Sequence, residues 1–113
     1  MSNSEKQINK SQLLKGILEP CILKIIDNEE VYGYDITERL NEVGLTDITL
    51  GTIYPLLLRL EKQKLISSYN KKSKIGPDRK YYEITIAGKI YLNEFIQKWN
   101  VLSKSVDNII NSK

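Results

Sequence analysis

Residues 51–89 read GTIYPLLLRLEKQKLISSYNKKSKIGPDRKYYEITIAGK, and this stretch decides the fold. Its first part repeats apolar residues at intervals of three and four, which predicts a helix that opens after Thr49. Pro55 falls near the beginning of that helix, where a missing amide proton costs less than it does in the middle. The side expected to face the core consists of Ile53, Leu56, Leu57 and Leu60.

The second part of this stretch predicts a β-hairpin followed by another helix. Residues 65–70, LISSYN, suit a strand, and residues 79–84, RKYYEI, read as a second strand with alternating faces. The Gly76-Pro77 pair between them marks a turn, so the hairpin has a long, charged tip. After Thr85, a good N-cap, the helical pattern resumes and continues to near the end of the chain.

Apolar residues upstream of this stretch predict a first, mostly buried helix. The pattern starts after Ser11, a plausible N-cap, and its spacings of three and four give a wide apolar face. Pro20 interrupts the pattern because it removes one backbone hydrogen bond. We therefore expect either a bend at Pro20 or a helix that properly starts near Glu19.

A second helix is predicted to begin at Tyr32 or Gly33 and to stop at Gly44, since glycine accepts the left-handed conformation without steric penalty. Three helices, a hairpin and a terminal helix form the order of a winged helix-turn-helix with an added helix. The predicted fold class is thus α+β and mainly α. The predicted divisions are a flexible arm at 1–11, a winged-helix domain at 12–84 and a C-terminal dimerisation helix at 85–113.

Length and composition limit the function classes. With 113 residues, the chain has room for one domain, and 41% hydrophobic beside 27% charged residues is typical of a folded soluble domain. No apolar run approaches the roughly 18–20 residues that a membrane span requires. The N-terminus lacks the apolar segment of a secretion signal. We expect a cytoplasmic protein without membrane contact.

The inventory of reactive residues argues against an enzyme. Histidine is absent from the sequence, which removes the commonest general base and a usual metal ligand. No nucleophile-elbow or glycine-rich phosphate-loop pattern appears. The single cysteine, Cys21, allows no internal disulfide, and its apolar surroundings favour a packed side chain over a redox sensor. We predict no catalytic site, no metal and no cofactor.

Positive charge is concentrated at the tip of the hairpin. Residues 71–80 hold five cations and one anion, Asp78, which gives this segment a net charge of +4, whereas the whole chain carries +3 and the remainder therefore −1. A cluster of one sign predicts a nucleic-acid partner whose phosphates it neutralises. The alternative is a charged tip that only aids solubility. The cations are Lys71, Lys72, Lys74, Arg79 and Lys80.

The outward side of the third helix is suited to entering a DNA groove. It consists of Gly51, Pro55, Leu58 and Lys62, with Thr52, Tyr54 and Arg59 on the flanks. The helix N-terminus favours phosphate, Thr52 and Tyr54 can donate to phosphate oxygens, and Arg59 can reach the backbone or a guanine edge. An ordinary amphipathic helix with a solvated face shows the same pattern. The basic hairpin directly after the helix is what favours DNA.

The terminal helix carries an apolar stripe with heptad spacing. Its members are Leu92, Phe95, Trp99, Leu102, Val106 and Ile109. Either the first helix of the same domain or a second copy of the chain could cover this stripe. Ile86, Ile90 and Ile96 lie off the stripe and are expected to hold the helix to its own domain. We therefore favour a symmetric dimer that places two recognition helices in successive major grooves, about 34 Å apart, on a partly palindromic site.

Three strings of the sequence resemble the PadR family of bacterial transcriptional regulators. They are VYGYDI at 31–36, GTIYPLLLRLEKQKLI at 51–66 and GPDRKYYEITIAGK at 76–89. The resemblance implies a short member of the family, in which a single terminal helix forms the dimer. It also implies DNA contacts from Tyr34, Thr52, Tyr54, Pro55, Lys80 and the neighbouring wing cations. Asp78 departs from the arginine- or proline-rich wing of that family.

Trp99 stands at the middle of the apolar stripe. From the pattern alone it is either a core residue or, where two copies cross, one wall of a flat apolar slot. In multidrug-binding members of the PadR family, a tryptophan on the terminal helix stacks on planar drugs, and Trp99 resembles that residue. The resemblance places near it Leu14, Leu18, Phe95, Ile96 and Ser103.

The predicted function is that of a sequence-specific, dimeric DNA-binding regulator. We expect a repressor that a small hydrophobic or aromatic effector releases from double-stranded DNA. The rival hypothesis is a winged-helix adaptor that binds an acidic protein and never touches DNA. The residues predicted to contact DNA from pattern and resemblance are Tyr34, Thr49, Gly51, Thr52, Tyr54, Pro55, Arg59, Lys71, Lys72, Lys74, Arg79 and Lys80.

Overall fold

The computed structural model describes residues 8–72 and 75–113, and these fold into five helices and one three-stranded antiparallel sheet. The helices are α1 (Lys10–Leu14), α2 (Leu18–Asn28), α3 (Gly33–Glu42), α4 (Leu50–Lys62) and α5 (Ile86–Ile110). The strands are β1 (Val31–Tyr32), β2 (Ile66–Lys71) and β3 (Arg79–Ile84), in the order β1-β3-β2. This confirms the predicted class: α2, α3, α4 and the β2–β3 hairpin form a winged helix-turn-helix, and α5 is the added helix.

Residues 1–7 of the predicted arm and Lys74 of the predicted wing lie outside the described residues. None of the helices in the described ranges is long and apolar enough to cross a bilayer.

The first helical region begins and breaks at residues other than those predicted. Asn9, not Ser11, is the N-cap of α1, and its side chain accepts a hydrogen bond from the backbone N–H of Ser11. The break falls at residues 15–17, where Lys15 is already extended and Gly16 has a φ of +85°, and not at Pro20. Pro20 lies in the first turn of α2, where a missing amide proton removes no intrahelical bond. The alternative expectation, a start near Glu19, is within one residue of the observed start.

Strand β1 had no counterpart in the sequence prediction. It contains two residues, too few for an alternating pattern to be visible. Val31 pairs with Tyr82 and Tyr32 pairs with Tyr81, so β1 is an edge of the sheet beside β3. Because α3 begins at the next residue, this pairing places the N-terminus of α3 against the hairpin.

Three helices begin where their capping residues predicted. Helix α3 starts at Gly33, and the chain leaves it through Gly44 at a φ of +99°. Helix α4 starts directly after Thr49, although the Thr49 side chain makes no capping hydrogen bond. Helix α5 starts after Thr85, whose hydroxyl accepts a hydrogen bond from the backbone N–H of Gly88 at 3.0 Å.

The core lies between α2, α3, α4 and the inner face of the sheet. Its most deeply buried side chains are Ile22, Leu23, Val31, Ile36, Leu40, Ile53, Leu57, Leu60 and Ile66. The predicted core side of α4 is therefore confirmed, with Leu56 half-buried at its edge. Cys21 also packs against the core, and burial raises the pKa of its thiol, which disfavours a reactive thiolate.

Helix α5 packs on its own domain through a side other than the predicted one. Leu92 is 3% exposed and belongs to the core, whereas Ile86 and Ile90 are 80% and 64% exposed. The expectation that Ile86 and Ile90 hold α5 to the domain is wrong. Leu92, predicted for the dimer interface, has almost no surface left for a second copy. The cause is a close approach: a Cβ on Gly88 would lie 2.1 Å from the carbonyl oxygen of Leu65.

Candidate nucleic-acid interface

A cleft of about 290 Å³ lies between the N-terminus of α3, helix α4 and strand β3. Four residues predicted to contact DNA line it: Tyr34, Tyr54, Arg79 and Lys80. Three different elements supply these side chains, and the pairing of β1 with β3 is what brings them together. Phenol hydroxyls and cations in one cleft are donors that suit phosphate oxygens. Asp78 lines the same cleft and adds a negative charge to it.

Tyr54 is positioned by the first turn of α3. A Cβ on Gly33 would lie 3.3 Å from the Tyr54 ring and 3.3 Å from the Leu50 side chain, so glycine makes room for the ring. Tyr54 remains 48% exposed and Tyr34 remains 52% exposed. Each tyrosine therefore offers about half of its surface to a ligand.

Three tyrosines form a row across the outer face of the sheet. Tyr32 and Tyr69 are both cross-strand partners of Tyr81, and the ring centroids lie 5.5 Å and 6.0 Å from that of Tyr81. The Arg79 guanidinium lies 4.6 Å from the Tyr32 centroid and donates to the Tyr32 hydroxyl at 2.7 Å. The ring face and the hydroxyl of Tyr32 together fix the position of the guanidinium. The row of tyrosines therefore orients Arg79 at the cleft.

Carboxylates of the same chain hold three of the cations predicted to contact DNA. The pairs are Glu30–Lys71 at 2.6 Å, Glu61–Lys80 at 3.3 Å and Glu19–Arg59 at 2.7 Å. Hydrogen bonds from Lys71 and Tyr69 hold the pKa of Glu30 below its usual value. A hydrogen bond from the Ser68 hydroxyl lowers the pKa of Glu61 in the same way. Exposed pairs of this kind contribute little to stability, so a phosphate can replace the carboxylate at small cost.

The outward side of α4 is exposed, as predicted. Its exposed residues are Gly51, Thr52, Tyr54, Pro55, Leu58, Arg59 and Lys62. Thr49, before the helix, and Lys72, after β2, are exposed as well. Pro55 is the sixth residue of α4, past the first turn, so its missing amide proton removes the intrahelical hydrogen bond to the carbonyl of Gly51. Leu58 leaves 61% of its surface in solvent.

Comparison with known proteins agrees with this geometry. A model described as the transcriptional regulator PadR-like family matches residues 22–94. This chain belongs to the PadR-like family. Its members are DNA-binding transcriptional regulators and not enzymes, so the adaptor hypothesis is not favoured.

Solved structures of transcriptional regulators share the architecture over most of their length. A PadR-like transcriptional regulator from Bacillus cereus strain ATCC 14579 is 51% identical, with a TM-score of 0.83 over 90% of this chain and 99% of that chain. A Streptococcus transcriptional regulator is 45% identical, with a TM-score of 0.80 over 88% and 98% of the two chains. A PadR-like transcription factor from Bacteroides fragilis is 40% identical, with a TM-score of 0.75 over 88% and 96%.

In this PadR-like chain, the apolar stripe of α5 beyond Leu92 faces solvent. Trp99, Leu102, Val106 and Ile109 are between 39% and 76% exposed. Phe95 is half-buried, and its ring stacks on Trp99 with the centroids 6.1 Å apart and 10° between the planes. A single copy thus leaves a long apolar surface uncovered.

The residues predicted to bind an effector lie in two places. Leu14 and Leu18 line a cavity of about 390 Å³ between α1, α2 and α4. Trp99 and Ile96 lie on α5, with 39% and 36% of their surfaces exposed. On the same helix, the Ser103 hydroxyl donates to a backbone carbonyl one turn earlier, at 3.4 Å.

Sequence reasoning missed the carboxylates that hold the DNA-facing cations. Glu19, Glu30 and Glu61 lie 40, 41 and 19 residues from their partners along the chain, so no local pattern links them. The pairing of Tyr69 with Tyr81 could have been predicted from the sequence. Aligning LISSYN with RKYYEI as antiparallel strands places the two tyrosines opposite each other.

Proposed function

We propose that this PadR-like chain is a dimeric, sequence-specific transcriptional repressor that acts in the cytoplasm and that a small hydrophobic or aromatic effector releases from its operator. The observation that carries the DNA-binding part is the cleft where Tyr34, Tyr54, Arg79 and Lys80 converge beside the exposed start of α4. With α4 in a major groove, this cleft would face the adjacent phosphates and the hairpin would lie over the neighbouring backbone. The wing supplies affinity, and α4 supplies the choice of sequence.

The exposed stripe of α5 supports a symmetric dimer. Leu102, Val106 and Ile109 recur at heptad spacing on one side of the helix and are at least 43% exposed. Packing this side against a second copy removes apolar surface from water. The two copies of α4 would then reach successive major grooves, about 34 Å apart, on a partly palindromic operator.

The Phe95–Trp99 stack supports the effector part of the proposal. It offers a flat, partly exposed aromatic surface in the middle of the stripe, which suits a planar apolar ligand. In a dimer, two such surfaces would enclose a slot. Such a slot would accept an effector at only one angle between the two copies. Effector binding would then shift the population of dimers toward the conformation with that angle, and so toward one separation of the two α4 helices.

The salt dependence of DNA binding tests the wing. Replacing Lys71, Lys72 or Lys74 with alanine should lower affinity by a similar factor for every duplex sequence, because each lysine neutralises a phosphate. Each change should also flatten the slope of log affinity against log salt concentration by about one unit. Lys104→Ala, on the exposed surface of α5, is the control and should leave the slope unchanged. Unchanged slopes in all three wing variants would refute the wing's role, and a stable acidic protein partner without any DNA shift would revive the adaptor hypothesis.

Fluorescence titration with planar dyes tests the effector slot. Trp99→Ala should abolish dye binding while sedimentation still shows a dimer, because the ring is the stacking surface and most of the stripe remains. Tyr34→Ala removes an aromatic ring of similar exposure from α3 and should leave dye affinity unchanged. Equal dye affinity in the wild type and Trp99→Ala would remove Trp99 from the mechanism.

A further inference from the structure

An exposed leucine lies in the middle of the DNA-facing side of α4. Leu58 keeps 61% of its surface in solvent, one turn after Pro55 and one turn before Lys62. The apolar residues that anchor α4, Ile53 and Leu57 among them, are buried on the other side of the helix. Leu58 therefore does not serve the core of its own domain.

The middle of this side offers no hydrogen-bonding side chain to a base. Gly51, Pro55 and Leu58 carry none. The polar residues Thr52, Tyr54 and Arg59 lie on the flanks, and Lys62 follows Leu58 only one turn later, at the end of the helix. Tyr54 leans on the first turn of α3, toward the wing, and Arg59 is held by a carboxylate of α2. Base readout by hydrogen bonds, the usual mode for arginine, asparagine and glutamine, thus has no side chain at the centre of this surface.

An apolar reading surface has one apolar partner on the base edges of the major groove, the C5 methyl group of thymine. We infer that Leu58 contacts a thymine methyl in each half-site and is a specificity-determining residue of this chain, an inference that rests on the proposed DNA binding. The cations Lys62, at the end of α4, and Lys80, which contacts Glu61 of α4 at 3.3 Å, supply the charge that brings duplex DNA, rather than an apolar protein surface, to this side of α4. The contact would bury two apolar groups that water otherwise surrounds.

Replacement of single thymines by deoxyuridine tests this contact, because deoxyuridine pairs like thymine but lacks the methyl group. The probe is the tightest-binding duplex recovered by the wild-type protein from a library of randomised duplexes. Its thymines are replaced one at a time, and affinity is measured by fluorescence anisotropy at fixed salt. We expect at least one position per half-site where the loss of the methyl weakens binding about fourfold, the factor that corresponds to one buried methyl or methylene group.

The leucine is then varied against the same pairs of duplexes. Leu58→Ala should bind the thymine duplex about as weakly as the wild type binds the deoxyuridine duplex, and it should no longer distinguish the two. Leu58→Met keeps an apolar side chain of similar volume and should still distinguish them. Both substitutions introduce good helix formers at an exposed position, so thermal unfolding should confirm an intact domain.

The outcomes separate the inference from the function on which it rests. A selected duplex that tolerates deoxyuridine at every thymine, or a methyl dependence that persists unchanged in Leu58→Ala, overturns the role of Leu58 and leaves DNA binding in place. Failure to recover any duplex with salt-dependent affinity overturns the proposed function and the inference with it.

Discussion

At the scale of single residues, Asp78 stands against the charge of the wing. It is the only anion among residues 71–80, and it lines the same cleft as Tyr54, Arg79 and Lys80. A carboxylate there repels the phosphate that the other three side chains attract. We infer that Asp78 lowers the sequence-independent affinity for DNA, so that a larger share of the binding free energy comes from the contacts of α4.

Replacing Asp78 with asparagine should therefore raise the affinity for any duplex. Two unit charges about 4 Å apart in water interact by about 1 kcal/mol, so the gain should be about fivefold at low salt. It should shrink as salt rises, because the charges are exposed and screened. Fluorescence anisotropy with the selected duplex and with an unrelated one measures both gains. Asp107→Asn, the same change on α5, should have no effect, and a gain confined to one sequence would contradict this interpretation.

At the scale of elements, the start of α5 is tied to the end of α4 by a compact junction. The Thr85 hydroxyl donates to the carbonyl of Lys64 at 2.8 Å or of Leu65 at 3.0 Å, and it accepts from the backbone N–H of Gly88. Gly88 lies so close to the Leu65 carbonyl that a side chain has no room. This junction sets the side on which α5 packs, and thereby the direction in which its free half projects.

Gly88→Ala should destabilise the domain although alanine favours helices. The added Cβ would sit 2.1 Å from a backbone oxygen, so the junction must shift, and overpacking of this kind costs about 1–3 kcal/mol in the free energy of unfolding. Urea unfolding followed by circular dichroism, at fixed protein concentration, measures the loss. Gly51→Ala is the control, because its Cβ would meet only the Thr49 hydroxyl at 3.6 Å. It should be neutral or stabilise by up to about 1 kcal/mol, and equal losses in the two variants would argue against the junction.

The elements that the sequence predicted are those whose signals are local. The Thr85 cap, the alternation of RKYYEI and the periodicity of α4 are properties of neighbouring residues, and each held in the structure. Strand β1 exists only because β3 pairs with it, so two residues of sequence could not reveal it. The prediction of which side of α5 packs on the domain was wrong for a related reason. Two apolar sides compete on that helix, and the choice depends on the distant Leu65 carbonyl that Gly88 approaches.

At the scale of the whole molecule, α5 is longer than its own domain can cover. Its buried residues are Gly88 and Leu92, and residues 93–110 contain none. This second part extends for about 27 Å at 1.5 Å per residue. An amphipathic helix in a protein draws most of its stability from packing of its apolar side, so a projecting half with an exposed stripe supports the proposed dimer. A second copy offers the same stripe in return.

Leu102→Asp should therefore convert the dimer into a monomer, because it places an unpaired charge in the middle of the apolar interface. Asn108→Asp adds the same charge on the opposite side of α5 and should leave the dimer intact. Light scattering coupled to gel filtration measures the mass of both variants. A Leu102→Asp protein that remains dimeric would show that the stripe is not the interface.

The same pair of variants tests whether the DNA-binding domains of the two copies bind DNA cooperatively. In a dimer on a duplex with two half-sites, binding of the first domain holds the second domain at a high effective concentration near its half-site. Loss of the dimer removes this effect, and affinity should fall by about a hundredfold or more. On a duplex with a single half-site, the wild type and Leu102→Asp should bind alike, since the cleft and α4 belong to one copy. If the stripe of α5 forms the dimer, Leu102→Asp should bind both duplexes with equal affinity. The Asn108→Asp control should bind the duplex with two half-sites much more tightly. A monomer that binds two half-sites as tightly as the wild type would mean that each domain acts alone.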